Sequence, residues 1–210
     1  MIKKNLKILI VTSIIVLLPI IAGLVLWNDL PDQIPVHWNA ANEVDNWASK
    51  PVAVFGFPAL MLAVHWLGIF ATVADPKKQN HPEKVKQMVF WLVPVLNIVL
   101  SAVTYTTAMG GSVRVEVLLP VLMGVLFAII GNYLPKCKQN YTIGIKIPWT
   151  LASEENWNRT HRLAGYIWVA GGVLIIVLGF FGLVWGILPI ALVMTLVPFA
   201  YSYILYRKGV

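Results

Sequence analysis

The chain has 210 residues, 59% of them hydrophobic and only 12% charged, with a net charge of +7. A soluble domain carries about 25% charged and about 45–50% apolar residues, so these proportions exclude a soluble globular domain: the surplus apolar surface must face lipid. The basic charge lies in segments between apolar runs, which makes it a marker of membrane orientation rather than a nucleic-acid surface.

Spanning the hydrocarbon core takes about 20 mostly apolar residues. Every charged residue falls outside the runs 8–27, 52–74, 89–109, 117–133 and 163–206. The last run is twice one span, so it turns back on itself, and the Phe-Gly-Leu-Val-Trp-Gly segment at 181–186 is the expected turn, since glycine tolerates the angles turns need. Backbone groups in lipid must be satisfied internally. The reading is therefore an all-α polytopic membrane protein with about six transmembrane helices. The first run is longer than the about 7–15 residues of a secretion-signal core, and no Ala-x-Ala follows it, so it is read as an anchor.

Short cytoplasmic loops are enriched in lysine and arginine. With the N-terminus inside, fourteen such residues are internal, from Lys3, Lys4 and Lys7 to Arg207 and Lys208, and only Lys50 and Arg114 are external. Both termini are thus cytoplasmic. Three segments are expected: residues 1–74, a two-helix unit with a patterned outer loop; 75–116, a connector and third helix; and 117–210, with a cytoplasmic loop at 135–162 and a final helical hairpin.

In the outer loop, Pro31 and Pro35 favour extended backbone. Trp38 and Trp47, with His37 and the acidic Asp45 nearby, suit either contact with an apolar or basic ligand or anchoring in the headgroup layer. The connector 75–86 reads as a solvated basic loop without chemistry. In the spans, His65 and the stripe Asn97, Ser101 and Thr104 suggest a ligand pocket or proton relay, or else simple interhelical hydrogen bonding. Between 141 and 150, apolar and polar residues alternate with the period of a strand, although Pro148 limits pairing. Ser153 is a candidate N-cap with Glu154 and Glu155 in the first turn. Trp157, His161, Ala164 and Trp168 then share a helix face. Trp149, Trp157, His161 and Arg162 suit a lipid-facing cuff or a docking face for a soluble partner. The four histidines cannot converge on one metal, Cys137 is the lone cysteine, and no HExxH, GxSxG or phosphate-loop motif occurs. No catalytic residue, metal or cofactor is expected.

Two segments carry a family resemblance. Leu30-Pro-Asp-Gln-Ile-Pro-Val-His-Trp-Asn, continued by Glu43-Val-Asp45 and Ser49-Lys50-Pro51, resembles the outer loop of a domain of unknown function that often precedes an SdpI-type domain. Gly131-Asn-Tyr-Leu-Pro135, Asn140, Gly144-Ile-Lys146-Ile-Pro148-Trp149-Thr150-Leu151, Trp157 and Thr160-His161-Arg162 resemble the SdpI/YfhL family itself. Together the matches cover roughly residues 15–62 and 125–200. Asn42 stands where the outer pattern usually has Gly, and Lys146-Ile147 where the inner one has Arg-Thr. The resemblance implies a six-span protein of the bacterial cytoplasmic membrane that gives immunity against a secreted, membrane-active peptide toxin. For some members it also implies signalling, in which the occupied protein holds a cytoplasmic repressor at the membrane. The expected partners are the lipid bilayer, a peptide toxin outside and a soluble repressor inside, with no direct nucleic-acid contact. The alternative is a small transporter that exports an amphipathic compound through the His65 and Asn97 region.

The charge asymmetry yields a direct test. Reporter fusions after Val36 and Val113 should read as external, and fusions after Gln79, Asn156 and Val210 as cytoplasmic. An external signal at 156 would overturn this orientation.

Overall fold

The structure is a computed structural model that describes residues 2–39 and 41–210. Met1 in the N-terminal segment and Ala40 in the outer loop lie outside the described residues, as do the side chains of residues 2–4, including Lys3 and Lys4. The described residues contain six helices long and apolar enough to cross a membrane: Asn5–Val25, Val52–Ala74, Glu83–Ala108, Val115–Lys136, Glu154–Phe180 and Val184–Arg207. Their outward side chains are apolar; Leu67 and Phe70, for example, are each 67% exposed. A surface of that kind is stable only against lipid, so the chain is a polytopic membrane protein built on helices.

Cα packing divides the chain into two compact units. One holds the chain up to Val73 together with Lys86–Val115, and the other holds Ala74–Val85 with Glu116–Val210. The third span thus packs with the first two, and the short connector after the second span packs with the last three.

In the first unit, α1 (Ile2–Val25) leads to an antiparallel hairpin of β1 (Gln33–Trp38) and β2 (Val44–Ser49). A π-helical turn at Val52–Gly56 continues into α2 (Phe57–Ala74), and α3 (Glu83–Ala108) completes the unit. Its outer core is Leu30, Ile34, Ala53, Val54 and Tyr105, and its inner core Leu9, Ile69 and Phe90. Polar side chains fasten the helices to one another. The Tyr105 hydroxyl donates to the Pro19 carbonyl at 3.1 Å, and the Asn97 amide donates to the Val16 carbonyl at 2.8 Å.

In the second unit, α4 (Val115–Tyr133) runs through a tight turn at Leu134–Lys136 into an irregular loop and the short α5 (Pro148–Ala152). The unit closes with α6 (Glu154–Phe180) and α7 (Ile187–Arg207). The connection between α6 and α7 falls at 181–186 as the sequence predicts, with Gly182 at φ +68°. Ser153 caps α6 as expected, its Oγ accepting from the Asn156 N–H at 3.2 Å. The strand-like alternation at 141–150 is not realised. Side chains take up the backbone groups of that segment, and Pro148 opens a helix there; the strands lie in the outer loop instead.

Helices α4 and α6 meet backbone to backbone. A β-carbon at Gly124 would lie 2.5 Å from the Gly172 carbonyl oxygen, and one at Gly172 would lie 2.5 Å from that of Gly124. Backbone cannot yield as a flexible side chain can, so Gly124→Val or Gly172→Val should cost about 1–3 kcal/mol of overpacking. Thermal melts in detergent should show both variants shifted down, and Gly68→Ala, with open space around it, unshifted by comparison.

Candidate functional site

The outer loop is an anchored ribbon. Leu30 and Ile34 are buried in the core beneath it, while Pro31 is exposed and Pro35 buried. Lys50 is fastened beneath the strands: its Nζ donates to the Trp27 carbonyl at 3.0 Å and lies 5.3 Å from the Trp27 ring centre. At the tip, the Asn39 Oδ1 accepts from the N–H groups of Ala41 and Glu43 at 2.9 and 3.0 Å. Asn42 adopts φ +62°, a left-handed angle that asparagine tolerates in place of glycine. Its Oδ1 accepts from the Val115 N–H at 3.1 Å, which tethers the tip to the last residue of the same unit. On the exposed side, His37 Nδ1 and Asp45 Oδ1 are 2.5 Å apart. Trp38 is half-buried, whereas Trp47 is 52% exposed.

The inner loop is a knot. Asn140 uses its whole amide: Oδ1 accepts from the N–H groups of Thr142 and Ile143 at 2.9 and 2.7 Å, and Nδ2 donates to the carbonyls of Lys138 and Ile143 at 2.9 Å each. The Thr150 hydroxyl lies within 2.7 Å of the Ile145 carbonyl and 3.0 Å of the Ile147 carbonyl, and accepts from the Ile147 N–H. Trp157 and His161 stack at 4.0 Å, and the Trp157 indole donates to the Cys137 carbonyl at 2.7 Å. The His161 Nδ1–H donates to the Trp157 carbonyl at 2.8 Å, which leaves Nε2 to accept the Ile145 N–H at 2.9 Å. Gly144 crosses directly over this pair at φ +121°; a β-carbon there would lie 2.5 Å from His161 Nε2. The Cys137 thiol is raised to about 11 by burial, so it stays protonated.

Trp157, His161, Asn140 and Thr150 are fully enclosed, so they offer no surface to a soluble partner; they shape the loop from inside. Lys146, Pro148 and Arg162 are exposed. Trp149 is half-buried against Phe199, Tyr203 and Tyr206 of α7. Beside the knot lies a polar cleft of about 380 Å³ lined by Asn80, Lys138, Gln139, Glu154 and Asn158. In the first unit His65 and Asn97 are both buried, yet each bonds α1: His65 Nε2 lies 3.0 Å from the Thr12 hydroxyl. Ser101 and Thr104 are half-buried. Among the described residues no group of three or more His, Cys, Asp or Glu could hold a metal.

The connector after α2 is not a plain solvated loop. Asp75 and His81 are buried in it, with the His81 Nε2 and an Asp75 oxygen 3.1 Å apart. Asp75 also accepts from the N–H groups of Lys77 and Tyr141 and from the Thr142 hydroxyl, at 2.7, 2.9 and 2.6 Å. Lys77 donates to the Gln139 side chain, and the Gln139 amide donates to the carbonyls of Thr150 and Leu151. Reasoning from sequence missed these residues, and Thr12 with them. The signal for Asp75 was local: an Asp two residues before a free N–H is a turn-former.

Residues 136–202 match the SdpI/YfhL protein family, and residues 14–62 match a domain of unknown function (DUF1648). The chain is 30% identical over 182 residues to the immunity protein SdpI of Bacillus subtilis (strain 168), covering 85% of this chain and 83% of that protein. No solved structure matches. The resemblance read from the two motif segments is thereby borne out.

The Asp75 hub generates a prediction. Burial alone would raise its carboxyl; the bonds from Thr142, Lys77 and Tyr141, with His81 beside it, outweigh burial and hold the pKa below the usual carboxylate value. A depressed folded pKa means that the stabilisation is complete above the ordinary carboxyl range and is lost as pH falls through the lowered value. Removing one partner of a buried pair costs roughly 3–5 kcal/mol. Asp75→Ala should therefore expose the loop around Tyr141–Lys146 to trypsin at neutral pH, where the parent chain resists.

Proposed function

The chain belongs to the SdpI/YfhL family, and from that premise we propose that it is an immunity protein of the cell membrane, protecting the cell that carries it against a membrane-active peptide. The observation that carries this reading is the extent of the similarity to the Bacillus immunity protein, which includes both the outer ribbon and the inner knot.

The proposed mechanism is capture without chemistry. The ribbon is supported from beneath by Leu30, Ile34 and Lys50, while Trp47, His37 and Asp45 face the medium. An exposed indole supplies a large rigid contact area at low entropic cost. Four carboxylates, Asp29, Asp32, Glu43 and Asp45, attract a basic peptide to it. The backbone positions of Pro31 and Pro35 set the strand, and Trp38 packs beside it. Inside, the exposed Lys146, Pro148 and Arg162, with the edge of Trp149, form the surface proposed to meet a soluble repressor. Asn140, Gly144, Thr150, Trp157 and His161 keep that surface in shape. The protein acts on no covalent bond in this scheme.

Export of an amphipathic compound is the competing reading, and it draws on the buried His65 beside Thr12, whose Nδ1 has no hydrogen-bond partner. Survival of a sensitive strain under peptide challenge separates the two, with the abundance of each variant checked by blot. Capture predicts that Trp47→Ala and Trp38→Ala weaken protection, since losing an aromatic anchor costs about 2 kcal/mol or more. His65→Ala and Asn97→Ala should do less, because a hydrogen bond within a membrane is worth about 0.6 kcal/mol on average. Transport predicts the reverse order, with protection abolished when the proton gradient is dissipated.

A further inference from the structure

The outer sheet has two strands, and β2 pairs only with β1, so one edge of β2 is open among the described residues. An unpaired edge carries a row of backbone donors and acceptors that can template another strand. The open edge of β1 is poor for this purpose: Pro35 has no N–H, and Ile34 and Pro35 are buried. In β2, by contrast, Asp45, Asn46, Trp47 and Ser49 are exposed and no proline interrupts the run.

The register says which groups point outward. The Lys50 N–H donates across to the Asp32 carbonyl at 2.8 Å. In an antiparallel pair inward and outward groups alternate, so Ala48 faces β1 while Ser49 and Trp47 turn away from it. Two independent details agree. Trp47 sits opposite Pro35, which has no N–H to return, and the Trp47 N–H is taken by the Asn46 side-chain oxygen at 2.9 Å. Asn46 thus covers the outward N–H of Trp47 with a side-chain contact of the kind a neighbouring strand's carbonyl would make. The ribbon is also held at both ends, by the Lys50 bond to Asp32 and by Asn42 on Val115, so little order remains to be imposed on binding. The charge around it leans acidic: four carboxylates stand against Arg114 and Lys50, and the Lys50 side chain is only 12% exposed.

We propose that the open edge of β2 takes an extended, basic stretch of peptide as a third strand, with Trp47 packing against its side chains. This rests on the capture reading given above and names how the peptide is held.

The test uses the full-length protein in phosphatidylcholine nanodiscs, which lack anionic lipid. The probes are a synthetic octapeptide alternating lysine and threonine and its fully backbone N-methylated counterpart, identical in charge and side chains. Strand addition predicts that the first binds and the second binds at least tenfold more weakly. It further predicts that Ser49→Pro, which removes an outward N–H and leaves the ladder to β1 untouched, weakens the first peptide to a similar degree. Asn46→Ala, which uncovers the Trp47 N–H, should strengthen it. Equal binding of the two peptides, or no binding of the first, overturns the proposal. If either occurs while Trp47→Ala still loses protection in cells, capture stands and edge pairing falls. If the edge behaves as proposed while both tryptophans are dispensable for survival, it is the capture reading that fails.

Discussion

Hydrocarbon offers no hydrogen bonds, so every backbone N–H and C=O within it must find a partner in the chain. That constraint makes the spans helical, and it also dictates how they are joined. The interhelical bonds here run from polar side chains to helix carbonyls, as from Asn97 to Val16 and Tyr105 to Pro19, or to another side chain, as between Thr12 and His65. A carbonyl has a second lone pair, so it accepts such a bond without breaking the helix. The Trp168 indole bonds the Met194 carbonyl, whose helical partner position is taken by Pro198 with no N–H to give. Where no side chain bridges, glycine lets the backbones close up, as at Gly124 and Gly172. Each span can therefore be held by very few polar atoms while its lipid face stays apolar.

Outside the membrane the same need is met by different means. At the ribbon tip Asn39 takes up two N–H groups, and in the knot Asn140 does the same. Asp75 collects four donors from two segments of the second unit, the connector and the irregular loop, and Gln139 links Lys77 to the carbonyls before α6. The irregular loop has no ladder to hold it, so side chains act as its backbone partners. A charge in such a position is costly unless fully bonded; Asp75 is bonded on both oxygens.

These two regimes explain what could be read from the sequence and what could not. Spans, turn and N-cap were legible because length, charge and capping are local properties, and the two motif segments were legible as patterns. The alternation at 141–150 was not a strand signal: Tyr141 of its apolar set is exposed and Thr150 of its polar set is buried, because side-chain bonds rather than a ladder shape the loop. Asp75 looked like a member of a basic connector because its partners Tyr141 and Thr142 lie more than sixty positions away, and His81 takes its place only through Asp75. Thr12 was hidden for another reason: it is an ordinary residue in an apolar run, and only the arrival of His65 from α2 gives it a role.

A consequence concerns where recognition can reside. In the inner motif Asn140, Gly144, Thr150, Trp157 and His161 spend their polar atoms, or their lack of a side chain, on the loop itself. Nothing is left on them with which to read a partner. Matching these residues therefore reports a shape, and the chemistry presented on that shape is set by its exposed members Lys146, Pro148 and Arg162. The outer ribbon is arranged the opposite way: the buried Leu30 and Ile34 and the half-buried Lys50 hold the sheet, and its distinctive residues Trp47, His37 and Asp45 face outward. Under the capture reading, a change in what the protein binds would be made on the ribbon by altering three exposed side chains, whereas the knot must keep its interior to keep any surface at all.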